Sequence, residues 1–290
     1  MPLNQPLTCR IAGLGAWGQN FRNVSDLQTL LSGGEFIEDG AKGPKPEIIP
    51  ANERRRAPLP VRLAVESSWQ ATQSSPYAAE DLSCVFVSSL GDTQLTDYMC
   101  RVLASENKQL SPTKFHNSVH NAAAGYWTIS TSCMKAANSI AGYEESVALT
   151  LLEALTQLQC EQSPILLTFY DAPVSPVLKS LLKNEQAFAV SVVLDPVLEP
   201  VLETASESEQ GPQQTEVTSV SPLNTVLTAE VVNQTATWPE LAVPSLQALY
   251  ADNPTAKILA LLSGLSEVSA NKKTIDMPLS AQSCLRVSWI

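Results

Sequence analysis

Short apolar runs bounded by turn residues alternate along this chain with stretches whose apolar residues recur every three or four positions. Leu7–Ala12, Leu82–Ser88, Ile165–Tyr170 and Ala187–Leu194 read as strands, and their near-continuous hydrophobicity suits burial on both faces. Between them, Val24–Leu31, Arg62–Ala71 and residues 95–106 carry helical spacing, the last through Leu95, Met99, Val102 and Leu103. Ser25 and Gln28 fit a capping box at the first of these helices. Val147, Leu151, Leu155 and Leu158 predict a further helix just before the Ile165 strand. Residues 33–60, with Pro44, Pro46, Pro50, Pro58 and Pro60, predict an irregular surface excursion.

The pattern changes after Leu194. ETASESEQGPQQTEVTSVSP, residues 203–222, has no hydrophobic period and reads as a flexible linker or loop. Beyond it, Val226–Val232 predicts a strand, Pro239–Leu265 a helical region interrupted at Pro254, and CLRVSWI a closing strand. Strands alternating with helices give an α/β fold. The division expected is residues 1–200, the linker 203–222, and a shorter unit over 223–290.

Gly13, Gly15 and Gly18 spell GxGxxG after the first strand, which raises dinucleotide binding. In that fold the third glycine opens the helix, whereas here six residues, Gln19 to Val24, separate Gly18 from Ser25. The motif therefore predicts a tight turn and no nucleotide.

The stretch richest in chemistry runs from Phe115 to Pro173. Small residues, Ala136 to Gly142, lead through Tyr143, Glu144 and Glu145 into the Val147 helix, and the Ile165 strand follows. Strand, tight turn and helix in that order make a nucleophile elbow. Together with CRIAGLGAWGQNFRNVSDLQTLLSGG, the basic ERRRAP, CVFVSSLGD, FHNSVHN and PILLTFYDAP, this order resembles the N-terminal half of β-ketoacyl synthases over roughly residues 8–195. Within that family it is most similar to the shortened chain-length-factor partners of aryl polyene and type II polyketide ketosynthases. The resemblance implies a thiolase-like layered α/β/α/β/α fold with a reduced second half. It also implies dimerisation through the strand before the elbow, near Asn138–Ala141.

Two residues compete for the nucleophile's place. In ketosynthases the reactive Cys begins a buried helix and the next strand starts roughly twenty residues on. Counting back from Ile165 reaches Glu144, whereas choosing Cys133, in Thr131-Ser132-Cys133, would put that strand inside the Val147–Leu158 helix. A thiolate at a helix N-terminus is activated, but a glutamate there is only stabilised as an anion. Glu144 is then either an ordinary first-turn glutamate or a group that shapes a shared cavity. Ketosynthases also need oxyanion donors from their C-terminal half, usually two His or His and Asn, with a Lys nearby. This chain has only His116 and His120, both before the elbow, and an elbow without those donors supplies little rate.

The expectation is a non-catalytic subunit pairing with an active ketosynthase, which would receive phosphopantetheine-linked acyl chains from an acyl carrier protein. The chain itself would need no cofactor. Tyr126, Trp127, Met134, Ser139, Tyr143 and Glu144 are the candidates for lining the acyl tunnel or the interface, with the aromatic and Met side chains alternatively plain core. The competing expectation is a self-sufficient ketosynthase or acyltransferase using Cys133, with His116 or His120 as base.

Composition adds boundaries. A formal net charge of −11 disfavours nucleic acid. The cluster Arg54, Arg55 and Arg56 either touches a carrier's phosphopantetheine arm or acidic helix, or forms local ion pairs on a solvated loop. Six cysteines without CxxC spacing, and His116 and His120 without flanking ligands, predict reduced thiols in the cytoplasm and no metal site. No apolar run reaches membrane-spanning length and no signal peptide is evident.

Overall fold

The computed structural model describes residues 6–35, 37, 40–197, 223–266 and 273–289. The proposed linker, 203–222, lies outside them. The strands are β1 (Leu7–Gly18), β2 (Ser83–Val87), β3 (Ala137–Ile140), β4 (Ile165–Asp171), β5 (Phe188–Asp195), β6 (Val226–Val232), β7 (Lys273–Pro278) and β8 (Cys284–Trp289). The helices are α1 (Val24–Leu31), α2 (Ala51–Arg54), α3 (Leu59–Gln73), α4 (Thr93–Ala104), α5 (Pro112–His116), α6 (Ala122–Thr131), α7 (Ser146–Glu161), α8 (Pro244–Asp252) and α9 (Ile258–Ser266).

The described strands form one mixed sheet in the order β3-β2-β4-β5-β1-β6-β8-β7. β2 runs parallel to both β3 and β4, and the remaining pairs are antiparallel. The period of two divides the core cleanly. Val85, Val87, Ile165, Leu167, Phe169, Phe188 and Val190 face α1, α7 and α9, while Cys84, Phe86, Leu166, Tyr170 and Ala189 face α3 and α6. α7 contacts β1, β2 and β4 on one side and β7 and β8 on the other. It is the buried central layer, and its Val147, Leu151, Leu155 and Leu158 are each worth about 1.5–3 kcal/mol of burial. Helix, sheet, helix and the turned-back strands β6–β8 make the thiolase-like α/β arrangement, with the second half the reduced one.

Long β1 joins the two halves. Its first residues pair with β6 and its later ones with β5, and Arg10 belongs to both registers. There Arg10 forks onto Asp195 at 3.0 and 2.8 Å, and Tyr77 donates to the same carboxylate at 2.9 Å.

Three sequence expectations are corrected. Gly13 and Gly15 lie inside β1 and make no turn, whereas Gly18 ends the strand at a tight turn closed by its N–H on Phe21 O at 2.8 Å. The role of Gly13 and Gly15 is close approach, because a Cβ on Gly13 would collide with the Ala71 carbonyl and one on Gly15 with the Ser67 carbonyl of α3. The first helix is capped by Asn23, which accepts from Asp26 N, while Asp26 accepts from Arg22 N. Asn and Asp perform the reciprocal capping expected of Ser25 and Gln28. β7 was not anticipated, its lone Ile275 and Met277 being too few for a period to register.

Candidate functional site

The elbow is built at the carboxyl end of β3. Ala141 and Gly142 turn the chain, Tyr143–Glu145 forms a single 3₁₀ turn, and α7 follows at Ser146. Tyr143 has φ +48°, a left-handed conformation that costs a bulky residue roughly 1–2 kcal/mol and persists only where surroundings impose it. They do so here through Ser146, whose Oγ accepts from Gly142 N at 2.9 Å and from Ser89 Oγ at 2.7 Å. A Cβ at Gly142 would stand 2.6 Å from Leu149 Cδ1, so a side chain there would displace that exposed leucine tip.

Behind the turn lies a group that sequence reasoning missed. Asp171, the last residue of β4 and fully buried, accepts from Ser88 Oγ at 2.7 Å, Leu90 N at 3.1 Å, Ser89 N at 3.4 Å and Thr255 Oγ1 at 3.0 Å. It thereby fastens the β2–α4 loop to the Pro254–Lys257 3₁₀ turn of the second half. Burial pushes its carboxyl up to about 6, and the four donors restrain that rise. The signal available was an aspartate ending an otherwise apolar strand, which needs buried partners.

Glu144 is half-buried beside Tyr143. It lines a small hollow of about 180 Å³ with Leu181, Lys183, Asp252 and Pro254. Lys257, buried with its ammonium 4.4 Å from the Tyr250 ring centre, has its pKa lowered by desolvation, and Glu144 and Asp252 oppose that fall. The turn thus presents Tyr143, Glu144 and Glu145 and offers no thiol or hydroxyl nucleophile except the phenol.

Cys133 stands at the other end of β3. It follows α6 past the left-handed Ser132, is buried, and donates to Leu82 O at 3.3 Å. A four-residue strand at about 3.3 Å per residue separates it from the turn by roughly 13 Å. His120 Nε2 lies 3.1 Å from Ile140 O, at the elbow end of that strand, and His116 is exposed at the end of α5. The cysteine and the histidines expected to serve it are therefore not brought together.

The other candidates divide. Trp127 is fully buried in the core between α6 and α3, and Tyr126 packs against the same core. Neither lines the main cleft. Ser139 lies in β3 with its Oγ buried and without a hydrogen-bond partner. Met134 is 94% exposed and Ile129 82%, and Tyr143, Phe115 and Val119 are exposed too. Ile129 and Met134 lie just before β3 and Tyr143 just after it, and β3 is the end strand of the sheet, whose outer edge is unpaired among the described residues. The main cleft, about 390 Å³, opens beside the carboxyl ends of β2 and β4 and is lined by Leu90, Leu95, Met99, Leu103, Val119 and Tyr170.

The arginine cluster is engaged locally: Arg54 donates to Pro46 O, Arg55 to Asn52 Oδ1, and Arg56 lies 3.8 Å from Glu53. Among the described residues no group of three or more His, Cys, Asp or Glu side chains converges as metal ligands do. No helix among them is long and apolar enough to cross a membrane.

Comparison with known proteins places this geometry. The model of the β-ketoacyl synthase N-terminal domain matches residues 32–242, most of the chain. Among curated protein sequences none matches. Solved structures similar over nearly the whole length include a ketosynthase (ApeO) in complex with its chain length factor (ApeC) from Xenorhabdus doucetiae, at 16% identity and TM-score 0.62, covering 98% of this chain and 99% of that one. The ishigamide ketosynthase/chain length factor aligns at 11% identity and TM-score 0.64, covering 97% and 99%. A type II PKS acyl-carrier protein in complex with its ketosynthase bound to the hexaketide (AntDE:AntF) aligns at 12% identity and TM-score 0.66, covering 99% of each chain. At such identities the likeness is one of fold.

Proposed function

The chain belongs to the β-ketoacyl synthase family, and on that premise we propose that it is a non-catalytic, chain-length-factor-type subunit that pairs with an active ketosynthase. The observation carrying this reading is the elbow itself. The strained turn, its serine brace and the buried helix are kept, yet Tyr143, Glu144 and Glu145 occupy the place where acyl transfer needs a thiol. A carboxylate held as an anion at a helix start is a poor acyl carrier. The oxyanion donors are lacking as well, since the second half contributes Asn253, Thr255 and Lys257 near the turn and no histidine.

A partner is supported by the free edge of β3 and its exposed apolar border, and by the description of similar structures as ketosynthases with chain length factors. In the pair, the active subunit takes acyl chains on phosphopantetheine from a carrier protein, and this chain needs no cofactor. The cleft over Leu95, Met99 and Leu103 closes one wall of the acyl tunnel. Residues 1–200 form the ketosynthase-like half and 223–290 the reduced one, and the cytoplasm is the compartment that fits six free thiols.

One observation favours the enzyme reading: the Cys133 thiol is lowered to about 6, first by a hydrogen bond from Cys84. Its site has no elbow and no base, and its neighbour is another thiol. Transfer of a labelled acyl group from carrier protein to the reconstituted pair tests the choice. Label confined to the ketosynthase subunit is expected, and label on Cys133 or elsewhere on this chain would overturn the proposal.

A further inference from the structure

Cys84 and Cys133 are thiols for which the proposed function has no task, and the fold puts them together across half a hundred residues of sequence. Cys84 lies in β2 with its side chain on the α3 and α6 side of the sheet. Cys133 sits in the loop between α6 and β3, fixed by its backbone N–H to Thr128 O at 2.9 Å. Each sulfur is 3.3 Å from one and the same oxygen, Leu82 O, so the two thiols converge on a single acceptor.

Their surroundings make the two unequal. Cys84 is held well above the ordinary thiol range by its bond to Cys133 and then by burial. Cys133 is lowered by the bond from Cys84, with desolvation opposing and the Lys135 N–H and ammonium adding to the fall. A thiolate next to a protonated thiol is the division of labour between an attacking and a resolving cysteine.

We propose that Cys84 and Cys133 form a redox pair behind the edge strand, a modification site that hydrogen peroxide or a similarly small hydroperoxide converts to an intramolecular disulfide. The Cys133 thiolate attacks the peroxide, giving a sulfenic acid and hydroxide. The Cys84 thiol then attacks the sulfenic sulfur, whose oxygen leaves as water carrying the Cys84 proton, and the proton released when Cys133 ionised neutralises the hydroxide. In sum two thiols and one hydrogen peroxide become one disulfide and two waters. Both cysteines are buried, so the oxidant must be small. The new bond ties the loop before β3 to β2, fixing the amino end of the strand whose outer edge is free.

The test uses the full chain with the exposed Cys100→Ser and Cys160→Ser changes, which remove intermolecular cross-links. Titration with hydrogen peroxide, followed by intact-mass measurement and peptide mapping, is expected to show a loss of two hydrogens, a Cys84–Cys133 linked peptide, and full reversal by dithiothreitol. Adding Cys84→Ala should abolish the link and leave Cys133 carrying oxygen atoms. If that variant does not fold, Cys133→Ser supplies the control and should leave Cys84 unmodified. The inference is overturned if both thiols stay reduced at a peroxide level that oxidises Cys100 in the unaltered chain. It is overturned equally if Cys133 accumulates oxygen atoms while Cys84 is present.

Discussion

The two ends of the edge strand each carry one feature that acyl transfer would need on a single residue. At its carboxyl end, Tyr143 carries the strained φ of +48°, Ser146 braces the turn and a buried helix begins, but no thiol is there. At its amino end, Cys133 is a thiol with a lowered pKa, but the left-handed residue there is its neighbour Ser132 at a helix end, and the thiol points at a carbonyl. Strain without a nucleophile and a nucleophile without strain sit a strand apart. Acyl transfer needs both on one residue, with oxyanion donors in front of it. Reactivity of a cysteine is thus no evidence of catalysis until its place in the backbone is known.

The strongest way to break this contrast is to dissolve one end. Asp171→Ala strips four donors of their acceptor in a fully buried site, and each orphaned group costs about 1–3 kcal/mol. Urea unfolding should show a loss of several kcal/mol in all. Retained stability would mean that the buried carboxylate does not hold the turn.

Solution pH probes the same group more gently. The carboxyl is about 6 in the folded chain against 3.8 unfolded, so the folded state binds its proton more tightly. Its contribution to stability is therefore fully present below 3.8 and is lost as the pH rises through about 6, by on the order of 3 kcal/mol. Asp171→Asn should flatten that slope in pH-dependent melting, and an unchanged slope would assign it to another group.

How much of this was legible in the sequence follows from the range of each interaction. β6 and α1 run over the residues anticipated, because a period of two or of 3.6 is a local property. The edge strand lay at Ala137–Ile140, within a residue of where the family resemblance put it. Asp171 was not found because its partners Ser88 and Thr255 are more than 80 residues away in either direction. The turn reading holds at Gly18 and fails at Gly13 and Gly15, because what excludes a side chain at those two is the backbone of α3, 50 residues and more downstream. Cys84 and Cys133 were counted as scattered thiols for the same reason.

Two smaller effects sharpen the contrast. Met134→Asp, at an almost fully exposed side chain beside β3, should leave the isolated fold unchanged and weaken association with the partner by about tenfold, about 1.4 kcal/mol by titration calorimetry. Unchanged affinity would move the interface elsewhere. Glu144→Ala, at a half-buried first-turn position, should change stability by no more than about 0.5 kcal/mol and leave acyl loading of the partner intact. A collapse of loading would give Glu144 a part in the chemistry.

The central claim is that this chain lends a wall and an edge to an enzyme whose chemistry lies in another subunit. Native mass spectrometry of the chain co-expressed with a ketosynthase encoded beside it, then supplied with a starter and malonyl-carrier protein, tests it most directly. The account predicts a one-to-one complex whose acyl mass resides wholly on the ketosynthase. A homodimer of this chain that acquires a covalent acyl group would contradict it.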